Sequence, residues 1–403
     1  MKVLFVHEVN WKNKPIFEIH DYPELLSIRG NKVTFIDFPE GDVSGRSFFS
    51  TYFSNQKFEG QSRAHSGSSV EVLTPKKLFP KPFDRLLHSI SFIPLLIKTL
   101  RRTKFDVIVL YGVPTNGWQT VIVANFFRIP IIFRAIDVSY LLRKSVFKPL
   151  IKVAEKFIYR SVTWISANNQ TLASHCVTWG ASEKKISVDY PGLDLQKFIP
   201  SLRDTELQMT LGIKNDDKVV LFMGTLYRFA GIRNFLELFG DSLKCRSNFK
   251  LLIIGDGEER AGIERAISLL KLNQSVVMAG FVSYDNLPKY LNLADVAICP
   301  FDLDEVTNGA LPWKVVQYLA CGIPTVATPL SGLMAFTNRK DQSGVVYRSL
   351  DSTFVQAVEE LMSDQSLRDE LSVIARAFVS AENDWKNCIL KFENRLRTCS
   401  LAE

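Results

Sequence analysis

Residues 296–332 read VAICPFDLDEVTNGALPWKVVQYLACGIPTVATPLSG, and this stretch decides the fold. Val296–Cys299 is a short apolar run, read as a strand that stops at Pro300. A polar loop with Asp302, Asp304, Glu305 and Asn308 follows, then Gly309. Pro312 stands where a helix should start, and Gly322 where it should end in a left-handed cap. Lys314 and Gln317 are three apart, so they share a helix face. Ile323–Val326 opens the next strand. Strand, loop, helix, strand is the repeating unit of a parallel sheet covered by helices.

The unit recurs on both sides of this stretch. VVLFMGTLYRFAGIRNFLELF predicts a strand over Val219–Met223, a break at Gly224 and a helix from Gly231 or Ile232. LLIIGDGEERAGIERAI predicts a strand over Leu251–Ile254, then Gly255, Asp256 and Gly257 ahead of a helix. Ser275–Ala279, Thr325–Ala327 and Val345–Val346 complete this series. An earlier series comprises Val3–Val6, Val33–Ile36, Val107–Leu110, Ile129–Phe133, Thr163–Ser166 and Ile186–Val188. Two sheets therefore lie in series, joined near Gly192–Leu202, where Pro191 and Pro200 mark a linker. Residues 41–71, rich in Gly, Ser and Phe, read as a loop excursion beside the first sheet.

Composition sets the outer limits. A chain of 403 residues, 46% hydrophobic and 23% charged, is long enough for two or three cores and too apolar for disorder. No run reaches the ~18 apolar residues of a membrane span, and the N-terminus lacks the pattern of a secretory signal. The six cysteines are scattered with no CxxC pair, and the five histidines show no HxxxH spacing. A reduced, cytoplasmic protein without a structural zinc is expected.

Charge is unevenly placed. Residues 1–190 hold 26 Lys and Arg against 15 Asp and Glu, whereas the remainder holds 23 against 27. In the helix predicted from Pro149, Lys152, Lys156 and Arg160 repeat every four residues and share a face. Such a face suits an anionic membrane surface, or is simply a solvated helix. No zinc finger, RNP or helix-turn-helix pattern accompanies the charge, so nucleic acid is not expected as a partner.

Parallel sheets bind ligands beyond the carboxyl ends of their strands, at helix N-termini. Gly224 would let backbone approach a phosphate, and Arg228 could supply a planar charge. A lysine at a helix start, such as Lys314, opposes the helix dipole unless an anion sits there.

These motifs, in this order, resemble the GT-B glycosyltransferases, specifically the retaining nucleotide-sugar transferases called family 4. YPGLDLQKFIP, from Tyr190, resembles that family's N-G-V-D-x-x-x-F-x-P hinge, with Gly192, Asp194, Phe198 and Pro200 in place. VLFMGTL and LLIIGDGEER resemble the strand-and-glycine segments of its donor domain. AGFVSYDNLPKYLNLADVAICPF and YLACGIPTVAT resemble its G-x-V…A-D-V-x-x-x-P and A-C-G-x-P-V-V-A runs. The family's paired glutamates fall at Gly309 and Gln317, its usual Arg and Lys at Thr225 and Ala230, and its H-D pair at Ile136–Asp137.

The resemblance implies an α/β protein of GT-B architecture: two Rossmann-like, doubly wound parallel-sheet domains facing a cleft. Residues 1–195 would form the acceptor side and 196–384 the donor-binding domain, with the helix of 385–403 packing back on the first. The implied reaction moves a sugar from a nucleotide-diphosphate sugar to a glycan or lipid-linked acceptor, with retention, in surface polysaccharide or glycoconjugate synthesis. It implies no required cofactor and no metal. Arg228, Lys314 and Asp137 are the implied catalytic residues. Gly224, Thr225, Gly255, Asp256, Gly257, Phe281, Asn308, Gly309, Leu311 and Gln317 are the implied donor-binding set. Lys152, Lys156 and Arg160 form the expected membrane or acceptor face. Gly309 and Gln317, lacking carboxylates, leave a second reading: a catalytically impaired GT-B protein that binds a glycan or a partner. A nicotinamide dehydrogenase is disfavoured, because His7, Glu8 and Asn10, not a G-x-G-x-x-G, follow the first strand.

Overall fold

The computed structural model describes residues 1–40, 54–78, 83–85, 87–142, 147–339, 342–379 and 383–401. Much of the predicted excursion, residues 41–53, lies outside these, as does Lys81. Two compact units partition the chain. One comprises Met1–Gly192 with Lys386–Glu403, the other Leu193–Trp385.

The first unit holds an eight-stranded sheet. Its strands are β1 (Lys2–Val6), β2 (Lys32–Ile36), β3 (Gln56–Gln61), β4 (Val70–Thr74), β5 (Val107–Leu110), β6 (Ile131–Ala135), β7 (Trp164–Ala167) and β8 (Ile186–Val188). Their order is β3-β4-β2-β1-β5-β6-β7-β8. All pairs are parallel except β3–β4, which is antiparallel. The central strand β5 is buried on both faces and so reads as a continuous apolar run.

Helix α1 (Glu18–Ile28) connects β1 to β2. Helices α2 (Ser89–Arg102), α3 (Gly117–Phe126), α4 (Lys148–Ser161) and α5 (Gln170–Thr178) connect the later strands. These four share one core on one face of the sheet, with Leu96, Val121, Ile158 and Leu172 meeting Leu4, Ile108, Phe133 and Ile165. Beneath the end of β6 lies a buried ion pair. Arg134 donates to both carboxylate oxygens of Glu18 at 2.9 Å, and also to the Asp189 carbonyl at 2.7 Å. Bidentate geometry of this kind compensates two charges taken out of water.

In the second unit the strands are β9 (Lys218–Met223), β10 (Phe249–Ile254), β11 (Val276–Gly280), β12 (Val296–Cys299), β13 (Thr325–Ala327) and β14 (Val345–Tyr347). All are parallel, in the order β11-β10-β9-β12-β13-β14. The order reverses between β9 and β12, the switch point where such sheets open a crevice. Helices α6 (Ile232–Cys245), α7 (Arg260–Leu269), α8 (Trp313–Ala320), α9 (Ser331–Thr337), α10 (Ser352–Ser363) and α11 (Gln365–Phe378) cover it.

The last helix, α12 (Trp385–Ser400), leaves this unit and joins the first. Phe392 meets Tyr22 at 4.4 Å between ring centroids. Glu393 accepts from Asn31 at 3.0 Å, Arg397 at 2.8 Å and Arg29 at 2.5 Å.

The loop reading of residues 54–71 needs correction. Gly60 and Gln61 belong to β3, an edge strand whose register shifts between Phe58 and Gln61. Its side chains are mostly exposed, so no apolar alternation marked it.

Candidate donor site

The site is built where β9 and β12 part. Tyr318, in the middle of α8, accepts a hydrogen bond at its Oη from the Met223 amide at 2.7 Å. That bond ties the helix to the end of β9. Lys314 lies four residues earlier and so shares the face of Tyr318. Its side chain therefore runs across the next residue, Gly224. A Cβ on Gly224 would stand 2.5 Å from Lys314 Nζ, and Gly224 has φ +140°. The lysine amine rests 4.2 Å from the centroid of Phe222 and 4.6 Å from that of Phe301. Among the described residues no carboxylate or carbonyl meets it. Burial lowers its pKa to about 8.

The neighbouring glycines close backbone onto backbone. A Cβ on Gly255 would lie 2.0 Å from the Gly224 carbonyl oxygen. One on Gly257 would lie 2.6 Å from that of Leu226, and one on Gly231 only 1.7 Å from that of Pro300. The expectation that Gly224 merely admits a phosphate thus acquires a different cause. These glycines let the loops after β9, β10 and β12 touch, and Gly224 makes room for a cation.

Arg228 stands in the short turn Arg228–Ala230 of the same loop, exposed. It lines a cavity of about 190 Å³ with Tyr227, Arg233, Asn234, Glu259 and Asp302. Arg233 pairs with Glu259 at 3.4 Å, and Asn234 donates to Asp302 at 3.2 Å. Burial raises the Asp302 pKa, an effect opposed by Asn234 and by the charge of Arg228. Lys314 is not among the residues lining this cavity. A chain of rings links the two cations: Phe229, beside Arg228, meets Phe301 edge-on at 5.6 Å, and Phe301 lies under Lys314.

The other candidate residues divide. Thr225 is exposed on the loop, and Phe281 is 69% exposed at the end of β11. Asp256 is committed locally, accepting from the Gly257 amide at 2.7 Å and from Arg260 at 3.0 Å. Asn308 is also committed: its Oδ1 accepts from the Ser331 amide at 3.1 Å and its carbonyl from Gly332 at 3.0 Å. Gly309 passes so close to Gly332 that a Cβ there would lie 2.4 Å from its carbonyl oxygen. Leu311 is buried, so its side chain belongs to the core and only its backbone is available to a ligand. Gln317 is buried too, and among the described residues its amide has no partner.

Asp137 lies in the other unit, just past β6, and is exposed. Surrounding protein and the charge of Glu18 both raise the pKa of its carboxyl. The stripe of Lys152, Lys156 and Arg160 is not three free cations. The Lys152 amine sits 4.5 Å from the Tyr140 centroid and 5.8 Å from that of Trp179. Arg160 packs over Gly180, where a Cβ would lie 2.6 Å from its Nε. Lys156 and Arg160 are both exposed to solvent.

Tyr227 and Asn234 were not singled out from the sequence. The first turn of a helix behind a left-handed glycine was the available signal, and Asn234 lies there. Among the described residues no group of three or more His, Cys, Asp and Glu is arranged to hold a metal.

Residues 204–378 match the family described as Glycosyl transferases group 1, and residues 26–197 match Glycosyltransferase Family 4. Together these matches cover most of both units. The chain thus resembles the group 1 glycosyl transferases over its second unit and Glycosyltransferase Family 4 over its first. An uncharacterised glycosyltransferase of Methanocaldococcus jannaschii is 27% identical over 57% of this chain and 58% of its own length. The lipopolysaccharide 1,2-N-acetylglucosaminetransferase of Salmonella typhimurium is 24% identical over 47% of this chain and 51% of its own. The chain thus spans a little over half the length of these curated relatives. Among solved structures, sucrose-phosphate synthase from Thermosynechococcus elongatus superposes with a TM-score of 0.79, 16% identity and full coverage of both chains. Anabaena HepE in complex with UDP superposes with a TM-score of 0.72 at 17% identity, covering 99% of this chain and 100% of its own. At such identities the likeness concerns the fold: the chain is an α/β protein of the GT-B class.

Proposed function

We propose that this protein transfers a sugar, with retention, from a nucleotide-diphosphate sugar to a glycan or lipid-linked acceptor. The product would enter a surface polysaccharide or glycoconjugate, with the acceptor met at the cytoplasmic face of a membrane. One observation carries the reading: an amine without an anionic partner, Lys314, held at the switch point between β9 and β12 by a glycine that yields its side-chain space.

The chemistry asks for such a group. As the bond from sugar C1 to the leaving oxygen breaks, negative charge grows on the diphosphate, and fixed cations stabilise that change. Lys314 and Arg228 are assigned to the diphosphate. Gln317 stands where the family's ribose-binding glutamate falls and offers an amide able to donate and accept. Asp137 is assigned to the acceptor side, where its exposed carboxyl can meet a hydroxyl.

A donor screen with released nucleotide as readout tests the proposal. Turnover of one nucleotide sugar, lost in Lys314→Ala with the fold intact, supports it. Failure to bind UDP, GDP or their sugars at millimolar concentration overturns it. The second reading, a glycan- or partner-binding protein without catalysis, would then stand on the missing carboxylates at positions 309 and 317.

A further inference from the structure

We propose that the outer surface of α2, α3 and α4 seats in the headgroup region of an anionic lipid bilayer, with the ridge of α3 and α4 inserted. This deepens the membrane-borne reading of the acceptor by naming the surface.

The inner faces of these helices fill one core against the first sheet, and α3 lies between α2 and α4. An outward helix face on a soluble domain is normally polar. Here the outward positions of α3 include Trp118, Ile122 and Phe126, spaced by four, with Asn125 as the one exposed polar side chain. Those of α4 include Leu150, Val153 and Phe157, spaced by three and four. Exposure reaches 82% at Phe126, 66% at Val153, 65% at Leu150 and 52% at Ile122. Single exposed apolar residues are ordinary, whereas two adjacent ridges of them mark a docking surface.

Charge selects the occupant. The three helices contain a single carboxylate, Glu155, and it is fully buried, accepting from the Ser139 amide at 2.8 Å. Their exposed ionic groups include Lys98, Arg101, Arg102 and Lys156. An apolar ridge on helices whose exposed charges are all cationic fits anionic headgroups over acyl chains. Nucleic acid would find charge but no use for the ridge. The stripe is thereby redrawn: Lys152 turns back onto Tyr140 and Trp179, Lys156 and Arg160 stay exposed, and the apolar residues beside them join the contact.

Co-sedimentation of the full chain, without sugar donor, with vesicles of phosphatidylcholine alone or mixed with phosphatidylglycerol tests this. Wild type should bind the mixed vesicles and not the neutral ones. Phe126→Glu and Leu150→Glu, at exposed positions, should each lose on the order of tenfold in binding at an unchanged melting temperature. Phe126→Ser and Leu150→Ser serve if a charge there disturbs folding. Arg101→Glu with Arg102→Glu should lose binding most at low salt. No vesicle binding by wild type, or equal binding by the apolar variants, overturns the proposal. Concentration-dependent self-association lost in Phe126→Glu, with no vesicle binding, overturns it in favour of a second copy of the chain. A protein that binds vesicles but turns over no donor defeats the transfer reading alone. One that turns over donor yet ignores vesicles defeats this proposal alone.

Discussion

Lys314 occupies the side-chain space that Gly224 leaves open, its Nζ 2.5 Å from where a Cβ would stand. Gly224→Ala must therefore expel the amine and also force a Cβ onto a backbone at φ +140°. Nucleotide affinity should fall ~10-fold or more, comparable to losing a charge-assisted bond. Calorimetry of UDP and GDP against both proteins checks this; equal affinities would detach Lys314 from the donor.

The same amine predicts a pH dependence. Burial holds its pKa near 8, so it carries a proton below that value and loses it above. A diphosphate needs the charged form. Affinity should be level from pH 6 to 7.5 and then weaken by up to ~10-fold per unit above pH 8. In Lys314→Arg, whose guanidinium stays charged, the fall should vanish.

Arg228→Ala should weaken donor turnover by ~10²-fold with little change in melting temperature, because the residue is exposed and stands in the cavity wall. Asn234→Ala, which frees Asp302 from its donor, should have a smaller effect. Steady-state rates for the two variants separate direct charge from positioning.

Glu393 anchors α12. Burial raises its pKa, but hydrogen bonds from Asn31, Arg29 and Arg397 outweigh that and hold it at about 2. A lowered carboxylate contributes stability that is present above its unfolded value of ~4.3 and is lost as pH falls through the folded one. Protection of α12 from hydrogen exchange should thus fade between about pH 4 and pH 2. Glu393→Ala should cost about 1–2 kcal/mol at neutral pH by taking an acceptor from the buried Asn31 amide and releasing Arg29 and Arg397.

Much of the fold was legible for a physical reason. Strands buried on both faces, such as Val107–Leu110 and Val296–Cys299, must be apolar throughout, and turn residues bracket them. β3 was illegible because an exposed edge strand has no buried face to imprint a period. At the site, Pro312 and Gly322 framed the helix carrying Lys314, but nothing local tells that its amine crosses Gly224. That depends on Tyr318 reaching the Met223 amide. The capture of Lys152 by Tyr140 and Trp179 is tertiary in the same sense. Spacing alone made it look free.

Gly231 has no room for even a methyl group against the Pro300 carbonyl. The two loops that border the crevice are thus held by main chain touching main chain, independent of the side chains projecting from them. The exposed side chains of Thr225 and Arg228 project from a frame that does not depend on them. Position 231, by contrast, admits no side chain at all.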